Sequence, residues 1–310
     1  MNDKIIAVAG PTASGKSALA LELCKRLDGE LISLDSMQIY RGLDIGTAKP
    51  TKAEQAEVRH HMIDICEPTE NFSAAEFAER AHKVIADVQS RGKRAVLCGG
   101  TGLYLDTVLG RLDFGEIESD EKLRGELIAF AEKNGAEALH ERLRGIDPQA
   151  AEKIHKNNVR RVARAIEIYE LTGKTKTEHD REAISDSPYD SLIIGLDYND
   201  RKVLYNRINR RVDAMIEAGL EGEVRSLVSR GLLSAESTAG QAIGYKEMLG
   251  YIAGDCSLGD AVEKIKLGTR RYAKRQLTWM RRNPNINWLY PDRLCDFQSL
   301  VGEAEKIIGK

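Results

Sequence analysis

Short apolar runs alternate with amphipathic stretches over about the first hundred residues of the chain. Four such runs stand at residues 4–10, 30–35, 61–65 and 94–98. Runs of this length predict buried strands, and the helical periodicity between them is clearest at residues 72–91, where Ser73 and Glu76 have the spacing of a capping box. Strands separated by helices predict an α/β fold whose parallel sheet is wrapped by helices.

The pattern changes near residue 114, where strand-like runs cease. Residues 120–172 have helical periodicity and are rich in Ala, Glu and Arg, and the polar stretch at 174–188 predicts a loop. Further on, the pattern predicts strands at 191–197 and 286–290 and helices at 200–219, 221–230 and 257–282. We therefore expect a sheet-based core, residues 1–113 and 190–310, and an all-helical insertion domain, residues 114–189.

Composition and charge exclude several classes of protein. The 310 residues carry a formal net charge of -2, so there is no chain-wide attraction to nucleic acid, and any such binding requires local patches. The five cysteines are scattered without a C-x-x-C pair, which argues against a zinc site or a disulfide framework. The sequence has neither a signal-peptide pattern nor an apolar stretch of membrane-spanning length, so we expect a cytoplasmic enzyme.

One glycine-rich segment fits the phosphate-binding pattern G-x-x-x-x-G-K-[ST]. The segment consists of Gly10, Pro11, Thr12, Ala13, Ser14, Gly15, Lys16 and Ser17. A predicted strand precedes it and a predicted helix follows it, so its backbone N–H groups and the helix dipole converge on one point that suits an anion. The segment predicts a P-loop NTPase-like core in which Lys16 reaches the distal phosphates and Ser17 holds Mg²⁺.

Two further polar residues follow apolar strands, and ligands of open parallel sheets bind beyond the strand carboxyl ends. Asp35 is a candidate magnesium ligand or general base, with a turn or capping aspartate as the alternative. Thr101 follows two glycines and is a candidate for orienting a substrate, with a turn threonine as the alternative. The strand that ends at Cys98 lacks the acid that phosphate hydrolysis usually needs, which favours a phosphate-bearing leaving group other than the γ-phosphate of ATP.

Two basic segments favour contact with a nucleic acid. Residues 264–282 carry eight positive side chains and no acid, and on a helix Arg271, Lys274, Arg275 and Thr278 share one face. Residues 155–164 hold a smaller cluster of three arginines. The alternative for both is a solvated helix face, although such faces normally mix the two signs of charge.

Five segments in order resemble bacterial tRNA dimethylallyltransferases, also called tRNA isopentenyltransferases, which form the IPP transferase family. The segments are Gly10–Ser17, Asp35–Tyr40, Asp44–Pro50, Gly99–Thr101 and Lys274–Arg281. The resemblance extends from Lys4 to about Tyr290. It implies transfer of a dimethylallyl group from dimethylallyl pyrophosphate to the N6 amine of the adenosine 3′ of the anticodon in the anticodon stem-loop of tRNA.

The resemblance also implies roles for individual residues. The glycine-rich segment and Arg211 would hold the pyrophosphate of the donor, with Mg²⁺ on Ser17. Asp35 would be the general base on the adenine amine, and Thr101 would bridge the base and the donor. The implied tRNA contacts, besides Asp35 and Thr101, are Ser36, Met37, Gln38, Arg124, Arg160, Arg161, Val162, Ala163, Arg164, Gln241, Ala242, Ile243, Gly244, Tyr245, Lys246, Lys274, Arg275, Gln276, Leu277, Thr278, Trp279, Met280 and Arg281.

Two other functions remain open from the residues alone. A small-molecule or nucleotide kinase would use the helical insertion as a lid, but that function gives the basic segment at 264–282 no role. A non-catalytic RNA-binding module would give Asp35 and Thr101 no role. We expect a monomer in each case.

Overall fold

A computed structural model of the chain describes residues 4–110, 120–182 and 187–309. The chain forms two compact units, one from Met1–Val108 with Tyr189–Lys310 and the other from Leu109–Pro188. The domain boundary that the sequence places between residues 113 and 114 lies outside the described residues. The assignment of catalysis to the first unit remains a proposal.

A single six-stranded sheet organises the described part of the first unit. Its strands are Ile5–Ala9 (β1), Gly29–Ser33 (β2), His60–His61 (β3), Arg94–Gly99 (β4), Ser191–Leu196 (β5) and Ile286–Leu289 (β6). The order across the sheet is β3-β2-β4-β1-β5-β6, and every neighbouring pair is parallel. The predicted α/β fold with a parallel sheet is confirmed. The predicted strand at 61–65 is shorter than expected, because Met62 and Asp64 adopt left-handed backbone angles, with φ of 62° and 54°.

Helices surround the sheet and also form the second unit. The bounds are Lys16–Arg26 (α1), Lys52–Glu57 (α2), Ala74–Ser90 (α3), Gly102–Val108 (α4), Glu121–Asn134 (α5), Ala136–Ile146 (α6), Pro148–Lys153 (α7), Val159–Thr172 (α8), Lys176–Glu182 (α9), Arg201–Glu217 (α10), Leu220–Ser229 (α11), Tyr245–Ala253 (α12), Leu258–Met280 (α13) and Phe297–Ile308 (α14). A 3-10 turn occupies Pro291–Arg293.

The central strand β1 shows why the sequence forms this sheet. All of its residues are buried, and Ile6 and Val8 pack in one cluster with Leu19 and Leu23 of α1. A parallel strand covered by helices on both faces needs a continuous apolar run rather than alternation. The local signal at α3 is equally direct, since Ser73 and the side chain of Glu76 form the predicted capping box.

The second unit packs its helices around an apolar cluster that includes Leu127, Leu143 and Ile166. The stretch at 174–188, predicted as a loop, contains helix α9, and that part of the prediction is wrong. The helix begins at a capping pattern in which the backbone N–H of Glu178 donates to Thr175 Oγ1 at 3.2 Å and Glu178 accepts from the Thr175 backbone N–H at 2.7 Å. The polar composition of this stretch favoured a loop, and the capping spacing of Thr175 and Glu178 was therefore overlooked.

A buried carboxylate joins three elements at one edge of the sheet. Oε2 of Glu30, near the start of β2, accepts a hydrogen bond from Nη2 of Arg91 at 2.7 Å and lies 2.6 Å from Nε2 of His61. Oε1 of Glu30 accepts a hydrogen bond from Nη1 of Arg91. The bonds from Arg91 lower the pKa of Glu30 from its ordinary 4.5 to about 2, against the opposing effect of burial. The ionised form is therefore the one that the fold stabilises.

This ion pair makes the stability of the fold depend on pH. Because the folded pKa of Glu30 lies below the unfolded one, its contribution is complete above about pH 4.5 and is lost as the pH falls toward about 2. We expect Glu30→Gln to lower the free energy of unfolding most near neutral pH, and the difference from the unsubstituted chain to shrink between those two values. Urea denaturation at a series of pH values measures it. A difference that stays constant with pH would contradict the assignment.

Candidate active site

The loop between β1 and α1 forms an anion-sized cradle. Ala13 and Gly15 have left-handed backbone angles, with φ of 62° and 94°, and α1 begins immediately after Gly15. The loop borders a cavity of about 330 Å³. The lining residues are Ala13, Gly15, Lys16, Ser17, Arg207, Arg210 and Arg211. A helix N-terminus that faces four cationic side chains is suited to a multiply charged anion.

Lys16 is the cation at the base of this cradle. Its Nζ donates a hydrogen bond to the carbonyl of Pro11 at 3.3 Å. Burial lowers the pKa of Lys16, and nearby Arg211 lowers it further, whereas Cys98 and Asp35 act in the opposite direction. Two half-buried cations close enough to repel each other favour an anion between them, because the anion would offset both the partial loss of solvent and the repulsion.

Helix α10 contributes more to the cradle than the sequence analysis recognised. Arg207, Arg210 and Arg211 stand at i, i+3 and i+4, so they share a helix face, and this spacing was the signal that could have identified them together. Nε of Arg207 donates to the carbonyl of Ala13 at 2.9 Å. The hydroxyl of Tyr198 donates to the carbonyl of Ser14 at 3.1 Å. Both contacts fix the loop in place.

A second cavity, of about 390 Å³, adjoins the cradle at Arg211, which lines both. Its described lining is Thr12, Asp35, Ser36, Met37, Gly46, Thr47, Arg211, Val212, Met215, Thr238, Gln241, Ala242, Ile243, Gly244, Tyr245, Ile265, Thr269, Tyr272 and Arg275. The surface that these residues expose to the cavity is mostly apolar, and its polar groups include one carboxylate, that of Asp35. This composition is typical of a site for an organic substrate.

Asp35 combines the two functions that the sequence left open. Its Oδ1 accepts backbone hydrogen bonds from Met37 at 2.9 Å and from Gln38 at 3.3 Å, so the residue does stabilise a turn. Its other carboxylate oxygen accepts no hydrogen bond from any residue in the described ranges, and the residue lines the second cavity. One oxygen holds the turn and the other is available to a ligand.

Thr101 lies across this turn from Asp35. Its Oγ1 accepts a hydrogen bond from the backbone N–H of Ser36 at 3.3 Å and interacts with the side chain of Tyr272. Burial, followed by the nearby Asp35 carboxylate, raises the pKa of Tyr272 to about 12. Tyr272 therefore presents a neutral phenol to the cavity. The sequence analysis did not identify Tyr272, because its place in the cavity depends on how α13 packs.

The side chain of Gln276 joins the loops that follow β1 and β4. Its Oε1 accepts from the backbone N–H of Thr12 at 2.9 Å, and its Nε2 donates to the carbonyl of Gly100 at 3.0 Å. The fit is tight, because a Cβ at Gly100 would lie 2.1 Å from that Nε2. Nearby, Nε1 of Trp279 donates to Oδ2 of Asp106 at 2.6 Å.

These contacts correct part of the predicted RNA surface on α13. Gln276, Leu277 and Met280 are buried, so they pack the helix onto the core instead of facing an RNA backbone. Trp279 is half-buried by its contact with α4. The exposed members of the same predicted segment are Lys274, Arg275, Thr278 and Arg281.

The exposed cations of α13 and the following turn form what we call the basic face, namely Lys264, Arg271, Lys274, Arg275 and Arg282. None of them has an ion pair with a residue that the structure describes. The remaining cations of the segment are engaged, since Lys266 pairs with Asp213 at 2.8 Å and Nη2 of Arg281 donates to Oδ2 of Asp197 at 2.7 Å. Nη1 of Arg270 donates to Oδ1 of Asn209 at 2.7 Å.

Two other segments predicted to contact RNA form walls of the second cavity. One of them contributes Ser36 and Met37. The other contributes Gln241, Ala242, Ile243, Gly244 and Tyr245, whereas Lys246 does not line the cavity. The amide of Gln38 is occupied by internal bonds: Oε1 accepts from Ser33 at 2.9 Å, and Nε2 donates to the carbonyls of Thr47 and Ala48 at 3.3 and 3.2 Å. The predicted tRNA contact of the Gln38 side chain is corrected accordingly, because its amide is engaged within the protein and joins two loops.

In the second unit, the predicted arginine cluster separates into two groups. Arg124 and Arg164 both pair with the fully buried Glu167, at 2.8 Å each, so they neutralise a core carboxylate. Burial alone would raise the pKa of Glu167, but the hydrogen bonds from these arginines keep it lowered. Val162 and Ala163 are fully buried, which rules out direct contact with RNA in this conformation. Arg160 and Arg161 are exposed and remain candidates.

The described residues contain no cluster of three or more His, Cys, Asp or Glu side chains that could hold a metal ion. The Ser17 hydroxyl, on the first turn of α1 beside the cradle, is an oxygen donor of the kind that Mg²⁺ uses when the bound phosphates and water supply its other ligands. The residues present therefore fit a magnesium ion that arrives with a phosphorylated ligand. None of the described helices is both long and apolar enough to cross a membrane.

Comparison with known proteins gives consistent matches along the chain. The family model described as IPP transferase matches residues 38–283. A tRNA dimethylallyltransferase of Halalkalibacterium halodurans is 51% identical over 309 residues, 99% of this chain and 97% of that protein. The crystal structure of the full-length tRNA isopentenylpyrophosphate transferase of Bacillus halodurans superposes with a TM-score of 0.73 at 47% identity, covering 99% of this chain and 96% of that one. A eukaryotic dimethylallyltransferase, captured acting on tRNA, gives a TM-score of 0.82 at 30% identity over 99% of this chain and 80% of that chain.

The bridge made by Gln276 predicts a measurable loss of stability. We expect Gln276→Ala to lower the free energy of unfolding by about 1–3 kcal/mol, because the N–H of Thr12 and the carbonyl of Gly100 both lose their partner. The matched control is Gln298→Ala on α14, where an exposed glutamine accepts from Arg26, and there we expect a change within about 0.5 kcal/mol. Urea denaturation compares the two. Equal losses in both variants would show that the bridge contributes nothing.

Proposed function

We propose a role for each part of this site, starting from the premise that the chain belongs to the IPP transferase family. The reaction is the transfer of a dimethylallyl group to the N6 amine of the adenosine that lies 3′ of the anticodon, at tRNA position 37. The observation that supports the assignment of roles best is that the cradle and Asp35 border two adjoining cavities. Thr101 is linked to the same site because its Oγ1 accepts a hydrogen bond from the backbone N–H of Ser36, which lines the second cavity.

The donor is dimethylallyl pyrophosphate, with its pyrophosphate in the cradle. The backbone at the N-terminus of α1, Lys16, Arg210 and Arg211 surround that position with positive charge. An aryl amine is a weak nucleophile, so C1 of the donor develops cationic character as its bond to oxygen breaks. A fixed set of donors around the departing pyrophosphate stabilises the negative charge that appears there, and this lowers the barrier.

Asp35 is the general base. Its carboxylate lies in the second cavity, and one of its oxygens has no partner among the described residues. The amine becomes strongly acidic only once its bond to carbon forms, so the carboxylate takes the proton at that stage. Thr101, whose Oγ1 accepts a hydrogen bond from the backbone N–H of Ser36, is the proposed bridge between the base and the donor.

The adenosine occupies the second cavity after it leaves the stack of the anticodon loop. Extrusion of a base costs a few kcal/mol, which must be offset by contacts elsewhere on the RNA. The basic face, to which Lys274 and Arg275 belong, supplies phosphate contacts next to the cavity, since Arg275 also lines it. The anticodon stem-loop of a tRNA is therefore the partner of this surface, and Arg160 and Arg161 are a second, smaller contact.

The hydroxyl of Ser17 would hold Mg²⁺ together with the pyrophosphate. When bound there, the ion would neutralise part of the charge of the leaving group. The cytoplasm, where tRNA is modified, is the proposed location, and a monomer is the proposed state.

Incorporation of label tests the donor and the acceptor together. The protein is incubated with unmodified tRNA, Mg²⁺ and labelled dimethylallyl pyrophosphate, and we expect the label to enter the RNA while pyrophosphate is released. A kinase would instead produce ADP from ATP with a small acceptor. ADP production with unlabelled RNA would overturn the proposal.

The role of Asp35 predicts a separation of turnover from binding. We expect Asp35→Asn to reduce the turnover rate by about 10²–10⁴-fold, because the amide keeps the oxygen that holds the turn but cannot accept a proton. The affinity for tRNA should remain nearly unchanged in a filter-binding assay. Asp35→Ala should also lose turnover and keep its affinity, but it additionally loses the hydrogen bonds that hold the turn. A large loss of affinity in Asp35→Asn would mean that Asp35 acts in binding.

The salt dependence of binding reports on the basic face. We expect Arg275→Ala to weaken tRNA binding and to reduce the slope of log affinity against log salt by about 0.7–0.9 if one phosphate contact is lost. Lys306→Ala on α14 is the control, because that exposed lysine pairs with Glu303 and lies outside the basic face. An unchanged slope in the Arg275 variant would mean that its side chain faces only solvent.

A further inference from the structure

A third cavity, of about 540 Å³, lies beyond the wall of the second one. Its described lining includes Ile45, Ala48, Pro50, Arg211, Ala214 and Met215. Only Arg211 and Met215 line both this cavity and the second one. The two spaces are thus separated by these two side chains and by the loop 44–48, whose residues line one side or the other.

The loop in this wall is held firmly by Glu223. Oε2 of Glu223 accepts from the backbone N–H groups of Asp44 and Ile45 at 3.1 and 2.7 Å, and Oε1 accepts from Gly46 at 3.3 Å. The hydroxyl of the buried Tyr245 donates to the same Oε1 at 2.6 Å. Because the carboxylate of Glu223 accepts hydrogen bonds from three successive backbone N–H groups, the loop has little freedom to move at residues 44–46.

The other end of the loop is held equally well. Nζ of the buried Lys49 donates to Oδ1 of Asp44 and of Asp64, at 2.6 Å each, and to the carbonyl of Tyr40 at 2.8 Å. Nη2 of Arg211 donates to the carbonyl of Thr47 at 3.3 Å. Arg211 is therefore hydrogen-bonded to the loop and also faces the cradle. Of the two described residues that line both cavities, Met215 is the one whose side chain makes no hydrogen bond.

Helix α10 relates Met215 to the reacting groups. Arg211 faces the cradle, and Met215 stands one helical turn later on the same face, about 6 Å along the axis. A donor whose pyrophosphate lies at Arg211 and whose carbon chain follows the helix places the end of a five-carbon group near Met215. Longer chains would have to pass this side chain to reach the third cavity.

We infer that Met215 sets the length of the prenyl group that this enzyme accepts, and that its truncation opens the third cavity to longer allylic pyrophosphates. This inference rests on the proposed function, because it places the pyrophosphate of the donor in the cradle. The walls that such a chain would meet include Ile45, Ala48, Pro50 and Ala214, which are apolar.

The chemistry is the same for the longer donor. The bond between C1 and the pyrophosphate oxygen breaks, and its electron pair leaves with the pyrophosphate. The N6 nitrogen of adenosine forms a bond to C1, and the proton of the amine moves to the carboxylate of Asp35. No oxidant, reductant or additional reactant is required.

The test compares labelled dimethylallyl and geranyl pyrophosphate as donors to the same tRNA. We expect Met215→Ala to raise the ratio of kcat/KM for geranyl over dimethylallyl pyrophosphate by about ten-fold or more relative to the unsubstituted chain. Ile265→Ala is the matched control, since it also removes three side-chain heavy atoms from the second cavity but does not border the third. We expect that control to leave the ratio nearly unchanged.

A refilling variant tests whether the third cavity is the space that is used. Adding Ala214→Leu to Met215→Ala places a larger side chain in that cavity, and we expect it to abolish the gain for geranyl pyrophosphate. Met215→Val repeats the test with a milder truncation if thermal unfolding shows that the alanine variant is not folded.

The outcomes separate the two proposals. Variants that transfer dimethylallyl groups but show no gain for geranyl pyrophosphate overturn the role of Met215, and so does an equal gain in Ile265→Ala. An unsubstituted chain that transfers no dimethylallyl group to tRNA overturns the proposed donor instead.

Discussion

The common direction of neighbouring strands is the constraint on which the site depends. β1, β2 and β4 are adjacent and parallel, so the residues that follow them emerge at one edge of the sheet. The cradle follows β1, Asp35 follows β2 and Thr101 follows β4. An antiparallel pairing of any one of these strands would place its polar residue at the opposite edge, and the reacting groups could not meet.

Helix α13 has two faces with different contacts. Its buried face, which includes Gln276, joins the loops after β1 and β4. Its exposed face carries Lys274 and Arg275. In the proposed function, an RNA that docks on the charged face is positioned relative to the loops that would hold the donor, because both faces belong to one helix.

The sequence predicted what local patterns determine and missed what distant contacts determine. The order of strand, glycine loop and helix around Lys16 is local, and so is the capping box at Ser73, and the structure has both features. The partner of a charged side chain need not be local: Arg124 pairs with Glu167 of a different helix, although Arg164 stands three residues before the same acid. Arg124 and Arg164 resembled RNA ligands until the structure placed both on Glu167, which follows them in the chain but is buried between them. A buried acid cannot be recognised from spacing alone, because exposure depends on how helices pack.

The ammonium group of Lys49 offers a chemical view of the wall between the cavities. Its side chain is only 3% exposed and is enclosed by Asp44 and Asp64. An acylating reagent can reach this amine only after the surrounding loop has swung away from its carboxylates. The rate at which Lys49 is acylated, relative to that of exposed lysines in the same sample, would therefore report how often the loop around it opens.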